Sequence, residues 1–282
     1  YTIVSYPKSG RSWLRFMLCH AQSAMSGLPV ERYIHSIPDQ RRKEPRFYFV
    51  HGLSAHEDLE SYHYTRLYYN PPAGIVLLVR DPVKVAASFY AHLKYKQFFG
   101  IRLDEKNSLK KFIENPEVGV RRYQGYLTFY LHALQASGVP FMIVRYEDLL
   151  ADTVGVLGRI LEFSQCPQDG AFLKRIAEAA GFGKMREAEE SGRYAVSWLT
   201  AGKKGDVASM KTRGAFRKSR YADYSDEEQA LMKSILQESP VFNAFGYFPD
   251  EVRDFDASDV AAVVASGAAA GRKAPAQGPS GE

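Results

Sequence analysis

Between Tyr6 and Trp13 the chain reads Tyr-Pro-Lys-Ser-Gly-Arg-Ser-Trp, a run dense in groups that bind anions. Lys8 is a mobile cation, Ser9, Arg11 and Ser12 can donate hydrogen bonds to phosphate oxygens, and Gly10 lets backbone approach a ligand closely. The run sits between a strand-like segment and a helix-like one. The first N–H groups of a helix lack intrahelical acceptors and carry the positive end of its dipole, so this turn is an anion site by geometry. It is not a Walker A loop, Gly-x-x-x-x-Gly-Lys-Ser/Thr, because Lys8 precedes Gly10 instead of following a second glycine. Of the seven histidines, His51 stands out by closing a short β-type run, where it could take a proton near neutral pH, with His56 as its competitor.

These side chains need a frame, and hydrophobic periodicity supplies one. Tyr1 to Tyr6 reads as a buried strand ended abruptly by Pro-Lys-Ser-Gly, and Trp13, Phe16, Met17 and His20 then recur at helical spacing. Phe47 to His51 is a second strand candidate. Gly74 to Val79 is continuously apolar, as in a parallel strand covered on both faces. Asp81 can cap the next helix and Pro82 occupies its first turn. A helix over 117–137, a strand at Phe141 to Val144, helices near 152–164 and 168–180, and a capping-box helix over 225–237 (Ser225 with Glu228) complete the alternation. Residues 27–46 read as a surface excursion, and 257–282, rich in Ala, Gly, Ser and Pro, as a disordered low-complexity tail. The expected fold is α/β: a single domain over residues 1–256, with a central parallel sheet flanked by helices, of the P-loop nucleotide-binding type.

Bulk properties narrow the chemistry further. The 282 residues are 45% hydrophobic and 24% charged with a net charge of +5, an ordinary globular composition with a modest preference for anions. The two cysteines, Cys19 and Cys166, form no Cys-x-x-Cys pair and no Cys/His cluster, so neither a disulfide framework nor a metal site is expected. No apolar run reaches the roughly 20 residues that span a bilayer, and a reducing, cytoplasmic setting is the simplest reading.

The Tyr6 to Trp13 run resembles the 5′-phosphosulfate loop of the sulfotransferases that use 3′-phosphoadenosine 5′-phosphosulfate (PAPS), whose usual form is Tyr-Pro-Lys-Ser/Thr-Gly-Thr/Ser-Thr/Ser-Trp. It departs at Arg11, where a hydroxyl residue is common. Val79 to Tyr90 resembles the family's 3′-phosphate segment, with Arg80 and Ser88 as the implied phosphate ligands. Arg145 to Leu149 resembles its Tyr-Glu-Asp-Leu element, in which Tyr146 would lie near the nucleotide. Gly181 to Met185 resembles its Ser-Phe-x-x-Met segment, in which Phe182 would stack on adenine opposite Trp13. Lys211-Thr212-Arg213-Gly214 is similar to the Arg-Lys-Gly loop, matching at Arg213 and Gly214. His51 falls where the family shows Lys-Thr-His-Leu-Pro, with Phe49 in place of the lysine.

The resemblance implies a metal-independent sulfotransferase that moves a sulfuryl group in line from PAPS to an acceptor hydroxyl or amine, releasing 3′-phosphoadenosine 5′-phosphate (PAP). His51 would be the base, and Lys8 would steady the departing phosphate. A P-loop small-molecule kinase and a non-catalytic nucleotide- or nucleic-acid-binding module are the alternatives, the latter suggested by Arg41-Arg42-Lys43 and Arg217-Lys218-Ser219-Arg220. No nucleic-acid recognition motif accompanies those clusters. The acceptor, a small molecule, a glycan or a lipid headgroup, and the oligomeric state are left open. Acceptor specificity is expected in residues 27–46, 54–72, 92–108 and 186–209.

Overall fold

The computed structural model describes residues 1–36, 44–51, 71–95, 108–199, 224–249, 251–254 and 258–262. Four strands, Thr2–Ser5 (β1), Tyr48–Val50 (β2), Ile75–Val79 (β3) and Phe141–Arg145 (β4), pair in the order β2-β1-β3-β4, all parallel. Parallel pairing puts every strand's C-terminal end on one edge of the sheet, with Ser5 opposite Leu78 and Val79 opposite Arg145. The segments leaving those ends therefore converge, which is where open α/β sheets hold ligands.

The sheet is buried on both faces. Side chains alternate along a strand, so Val4, Ile75, Leu77 and Val79 enter one apolar layer while Ile3, Val76, Leu78 and Val144 enter the other. The first layer is completed by helices Pro82–Tyr95 (α3), Leu109–Glu114 (α4) and Val120–Ser137 (α5), and by Asp226–Gln237 (α10) and Pro240–Ala244 (α11). The second is completed by Arg11–Ser26 (α1), Val30–Ile34 (α2), Thr153–Phe163 (α7), Gly170–Ala179 (α8) and Phe182–Ser191 (α9), with the short Tyr146–Ala151 (α6) following β4 directly. Among the described residues no helix is long and apolar enough to cross a membrane.

Three expectations shift. The helix anticipated from 117 starts at Val120, because the Asn115 side chain accepts from the N–H groups of Glu117 (2.8 Å) and Val118 (3.1 Å) and holds a turn in competition with the helix. Residues 27–46 are not wholly a surface excursion, since α2 buries Tyr33 and Ile34. Past residue 256, a helical turn at 258–262 sets Val260 into the first apolar layer, an anchor that average composition conceals. The capping box of Ser225 and Glu228 is present as read.

Arg145, at the end of β4, clamps the C-terminal segment to the sheet. Its guanidinium binds both Asp148 carboxylate oxygens (3.0 and 2.5 Å) and donates to the carbonyls of Phe245 (3.2 Å) and Arg253 (2.5 Å). Arg145→Met should lower unfolding free energy by about 3 kcal/mol, since it orphans two carbonyls and a carboxylate. Urea denaturation checks this, and a loss below about 1 kcal/mol would mean that the clamp contributes no more than an average hydrogen bond.

Candidate active site

The chain leaves β1 through two left-handed residues, Lys8 (φ 70°) and Gly10 (φ 96°). Gly10 has no cost there, whereas for lysine the left-handed region costs about 1–2 kcal/mol. The turn is closed by Ser9 N–H donating to the Tyr6 carbonyl (3.3 Å), and the Gly10 carbonyl accepts the first helical bonds of α1 from Trp13 (3.0 Å) and Leu14 (3.3 Å). Beneath it lies a layer of buried tyrosines. Tyr6 stacks on Tyr123 with ring centroids 4.6 Å apart and donates its hydroxyl to the Val118 carbonyl (2.9 Å). Above, the ring of Tyr146 presses on Gly10 so closely that an added Cβ would come within 2.2 Å of it.

Arg80 leaves the end of β3 and ties the sheet to this loop. Its backbone N–H donates to the Tyr123 hydroxyl (3.0 Å), which in turn donates to the Arg80 carbonyl (2.9 Å). Its guanidinium donates to the Lys8 carbonyl (2.8 Å) and lies 4.3 Å from the centre of the Tyr146 ring, a cation–π contact. The buried Arg80 Nε has no hydrogen-bond partner among the described residues. Nearby carboxylates are engaged elsewhere: Asp81 accepts from the Val83 N–H as a helix cap (2.9 Å), and Glu147 accepts from the Asp81 N–H (3.2 Å) and the Tyr247 hydroxyl (2.9 Å).

His51 follows β2 directly. Its Nδ1 lies 3.3 Å from the Ser5 carbonyl, and a carbonyl can only accept, so Nδ1 carries the proton and Nε2 the lone pair. Nε2 in turn meets Arg11 Nη2 at 2.5 Å. Burial first, and the Arg11 charge second, hold the His51 pKa well below 6.5, so the ring is neutral at physiological pH. Burial also lowers the Arg11 pKa, to about 10, which leaves it charged.

One cavity of about 370 Å³ joins these groups. Lys8, Gly10, Arg11, Ser12, Trp13, His51, Arg80, Ser88, Tyr146 and Phe182, all expected from sequence, line it, and no Asp or Glu is among its described lining residues. Ser9 does not: its side chain is fully buried below the loop, because its N–H closes the turn, so the expected hydroxyl contact to a ligand is not presented. Trp13 and Phe182 meet edge to face at 87°, with centroids 6.2 Å apart, and Trp13 is fixed by donating to the Ala180 carbonyl (3.1 Å). The two rings make a corner that lines the cavity. Arg213, Gly214 and His56 lie outside the described residues.

Sequence reading passed over His92 and Trp198, which also line the cavity. His92 is four residues after Ser88 on α3, so helical spacing alone places both on one face. Trp198 had no local signal. It is held by the Arg15 guanidinium 4.3 Å from its ring centre, and Arg15 also lies 5.3 Å from the ring of Phe49, the residue at the family's lysine position.

Residues 1–237 match the profile of the sulfotransferase domain. The chain belongs to the sulfotransferase family. Among curated proteins it is similar to Sulfotransferase 2B1 of Rattus norvegicus and of Mus musculus, each 23% identical over an alignment 197 residues long that covers 65% of this chain. The chain spans about half the length of these relatives, 55%. Among solved structures, mouse sulfotransferase SULT7A1 complexed with PAP is 16% identical with a TM-score of 0.53, covering 84% of this chain and 83% of its own. Retinol dehydratase in complex with androsterone and inactive cofactor PAP is 15% identical with a TM-score of 0.51, covering 84% of this chain and 80% of its own. At that identity the likeness speaks for the sulfotransferase fold alone.

Gly10→Ala should collide with Tyr146 and impose a left-handed alanine, lowering stability by about 2 kcal/mol or more. Restoring space with Gly10→Ala/Tyr146→Ala should recover only the collision part. A full-strength Gly10→Ala melting curve would contradict the packing described.

Proposed function

We propose that this sulfotransferase moves a sulfuryl group from PAPS to a hydroxyl or amine of an acceptor. The observation that carries the reading is the single cavity in which two anion grips and a neutral histidine meet with no described carboxylate lining. Its volume of about 370 Å³ lies in the range of small-ligand pockets. The PAP complexes of the two solved relatives support the choice of nucleotide.

PAPS supplies the activated sulfuryl group, and the chain's own side chains do the rest. Lys8, Ser12 and the first N–H groups of α1 hold the 5′ end. Arg80, whose Nε has no hydrogen-bond partner among the described residues, and Ser88 hold the 3′-phosphate, and the Trp13–Phe182 corner receives the base across from Tyr146. Arg213 and Gly214 are assigned to closure over the 3′-phosphate on the resemblance of their loop. Nε2 of His51 takes the acceptor proton as the new O–S (or N–S) bond forms and the S–O bond to the 5′-phosphate breaks. Lys8 faces the negative charge that gathers on that departing phosphate.

The acceptor is a small molecule, a glycan or a lipid headgroup, bound on the Trp198 side. A reducing, cytoplasmic setting is supported by Cys19 and Cys166 standing as free thiols.

Calorimetry should show heat on PAP addition and none with ATP and Mg²⁺, and labelled PAPS should label a member of an acceptor panel. Lys8→Ala should lower kcat by a factor on the order of a hundred, as loss of a transition-state donor does. His51→Ala should abolish turnover while leaving PAP affinity within about threefold, because a base is needed for proton transfer and not for nucleotide binding. Absence of PAP heat would sink the reading.

A further inference from the structure

We propose that Arg11 keeps the base capped until the nucleotide arrives: without nucleotide its guanidinium occupies the His51 Nε2 lone pair, and an oxyanion on the Lys8 to Trp13 loop draws it away. The proposal deepens the sulfotransferase reading and rests on it.

The geometry leaves His51 one basic site. Nδ1 faces the Ser5 carbonyl at 3.3 Å and must carry the proton, so only Nε2 can receive one from an acceptor. That lone pair already accepts from Arg11 Nη2 at 2.5 Å. A lone pair engaged by a charged donor cannot take a second proton, so the ring is correctly oriented for catalysis and unable to perform it.

Arg11 has reason to leave when an anion is offered. It is a partly buried cation whose hydrogen-bond partner among the described residues is a neutral imidazole, with no carboxylate. Bonds from guanidinium to an oxyanion are roughly twice as strong as neutral ones. Arg11 is the first residue of α1 and shares its cavity with Lys8, Ser12 and His51, so loop-bound phosphosulfate and His51 compete for one side chain. The hydroxyl residues common at this position in the family could not span both.

Charge reinforces the cap. Lys8 from the loop and His92 from α3 face His51 along with Arg11, while Arg15 from α1 and the Tyr126 hydroxyl from α5 face Arg11. Lys8, Arg11 and His92 all disfavour imidazolium, with Arg11 the largest contributor after burial. Moving Arg11 onto an anion removes that contribution and places negative charge nearby, and both effects raise the His51 pKa toward its ordinary value. The order of events follows: nucleotide binding precedes a competent base, and the acceptor meets an active His51 only when its sulfuryl donor is present.

The test is ¹⁵N NMR of the histidine side chains of the full chain, titrated from pH 8 to 5 with and without saturating PAP. In the wild-type protein without PAP, His51 should remain neutral through pH 6, with its Nε2 resonance displaced by the Arg11 donor. PAP should raise its apparent pKa by about one unit or more, a tenfold change in its protonation ratio. In Arg11→Gln the pKa without PAP should already be raised, and PAP should add less than half the wild-type shift, the remainder being the direct effect of phosphate charge. An equal PAP-induced shift in both proteins, or no shift in the wild type, would overturn the cap. Heat of PAP binding recorded on the same samples separates the cases: no heat overturns the sulfotransferase reading itself, while heat without a change at His51 overturns only the role of Arg11. If Arg11→Gln does not fold, the wild-type Nε2 resonance decides alone, since an unmoved resonance on PAP saturation refutes the exchange.

Discussion

Partly buried cations held by neutral partners are the constraint around which this site is built. Arg80 is fixed by the Lys8 carbonyl and the face of Tyr146, and Arg11 by an imidazole nitrogen. A carboxylate in either place would offset the cost of burying the charge more fully, and would also neutralise the cavity. The carboxylates that do lie close, Asp81 and Glu147, receive the Val83 N–H, the Asp81 N–H and the Tyr247 hydroxyl. Burial and the proximity of Asp81 raise the Glu147 pKa above the usual carboxylate value. The fold thus keeps its acids for joining elements and leaves its bases facing the cavity.

Such an arrangement needs a rigid backbone, because carbonyls and ring faces hold a guanidinium only if they stay in place. The left-handed pair at Lys8 and Gly10 is wedged between Tyr146 above and the Tyr6–Tyr123 stack below. Tyr123 serves twice, stacking under the loop and closing a two-way hydrogen-bond exchange with the backbone of Arg80. The Lys8–Gly10 turn and the backbone of Arg80 are therefore set by one tyrosine layer, and their spacing is a property of the core more than of surface loops.

The frame was legible in the sequence because it depends on local patterns. The apolar run of β3, the helix period after Ser12 and the Ser225–Glu228 box each state their own structure. The cavity's members were legible through the loop after β1 and the family resemblance, and sheet topology explains why they meet, since it brings the ends of β1, β2, β3 and β4 to one edge. What escaped depends on contacts far apart in the chain. Nothing near Ser9 says that its hydroxyl is buried, nothing near Trp198 says that Arg15 will hold it against the site, and no periodicity sets the 87° between Trp13 and Phe182. His92 is the exception, since a count of four from Ser88 would have found it.

Position 11 is where local pattern and tertiary consequence diverge most. In the linear sequence, Arg11 is one more cation in a phosphate loop, a modest gain in affinity for an anion. In the fold, the same side chain reaches across from α1 to the residue after β2, so its charge acts on the His51 imidazole as well as facing the cavity. A short hydroxyl at that point would leave the histidine lone pair open to water at all times. In the proposed exchange the guanidinium couples two events that a hydroxyl would leave independent, because the Nη2 that meets the imidazole is withdrawn as the group turns to the oxyanion. The energetic origin of that proposed coupling is that the hydrogen-bond partner of Arg11 among the described residues is neutral: desolvation lowers its pKa to about 10, and an oxyanion on the loop would relieve that cost.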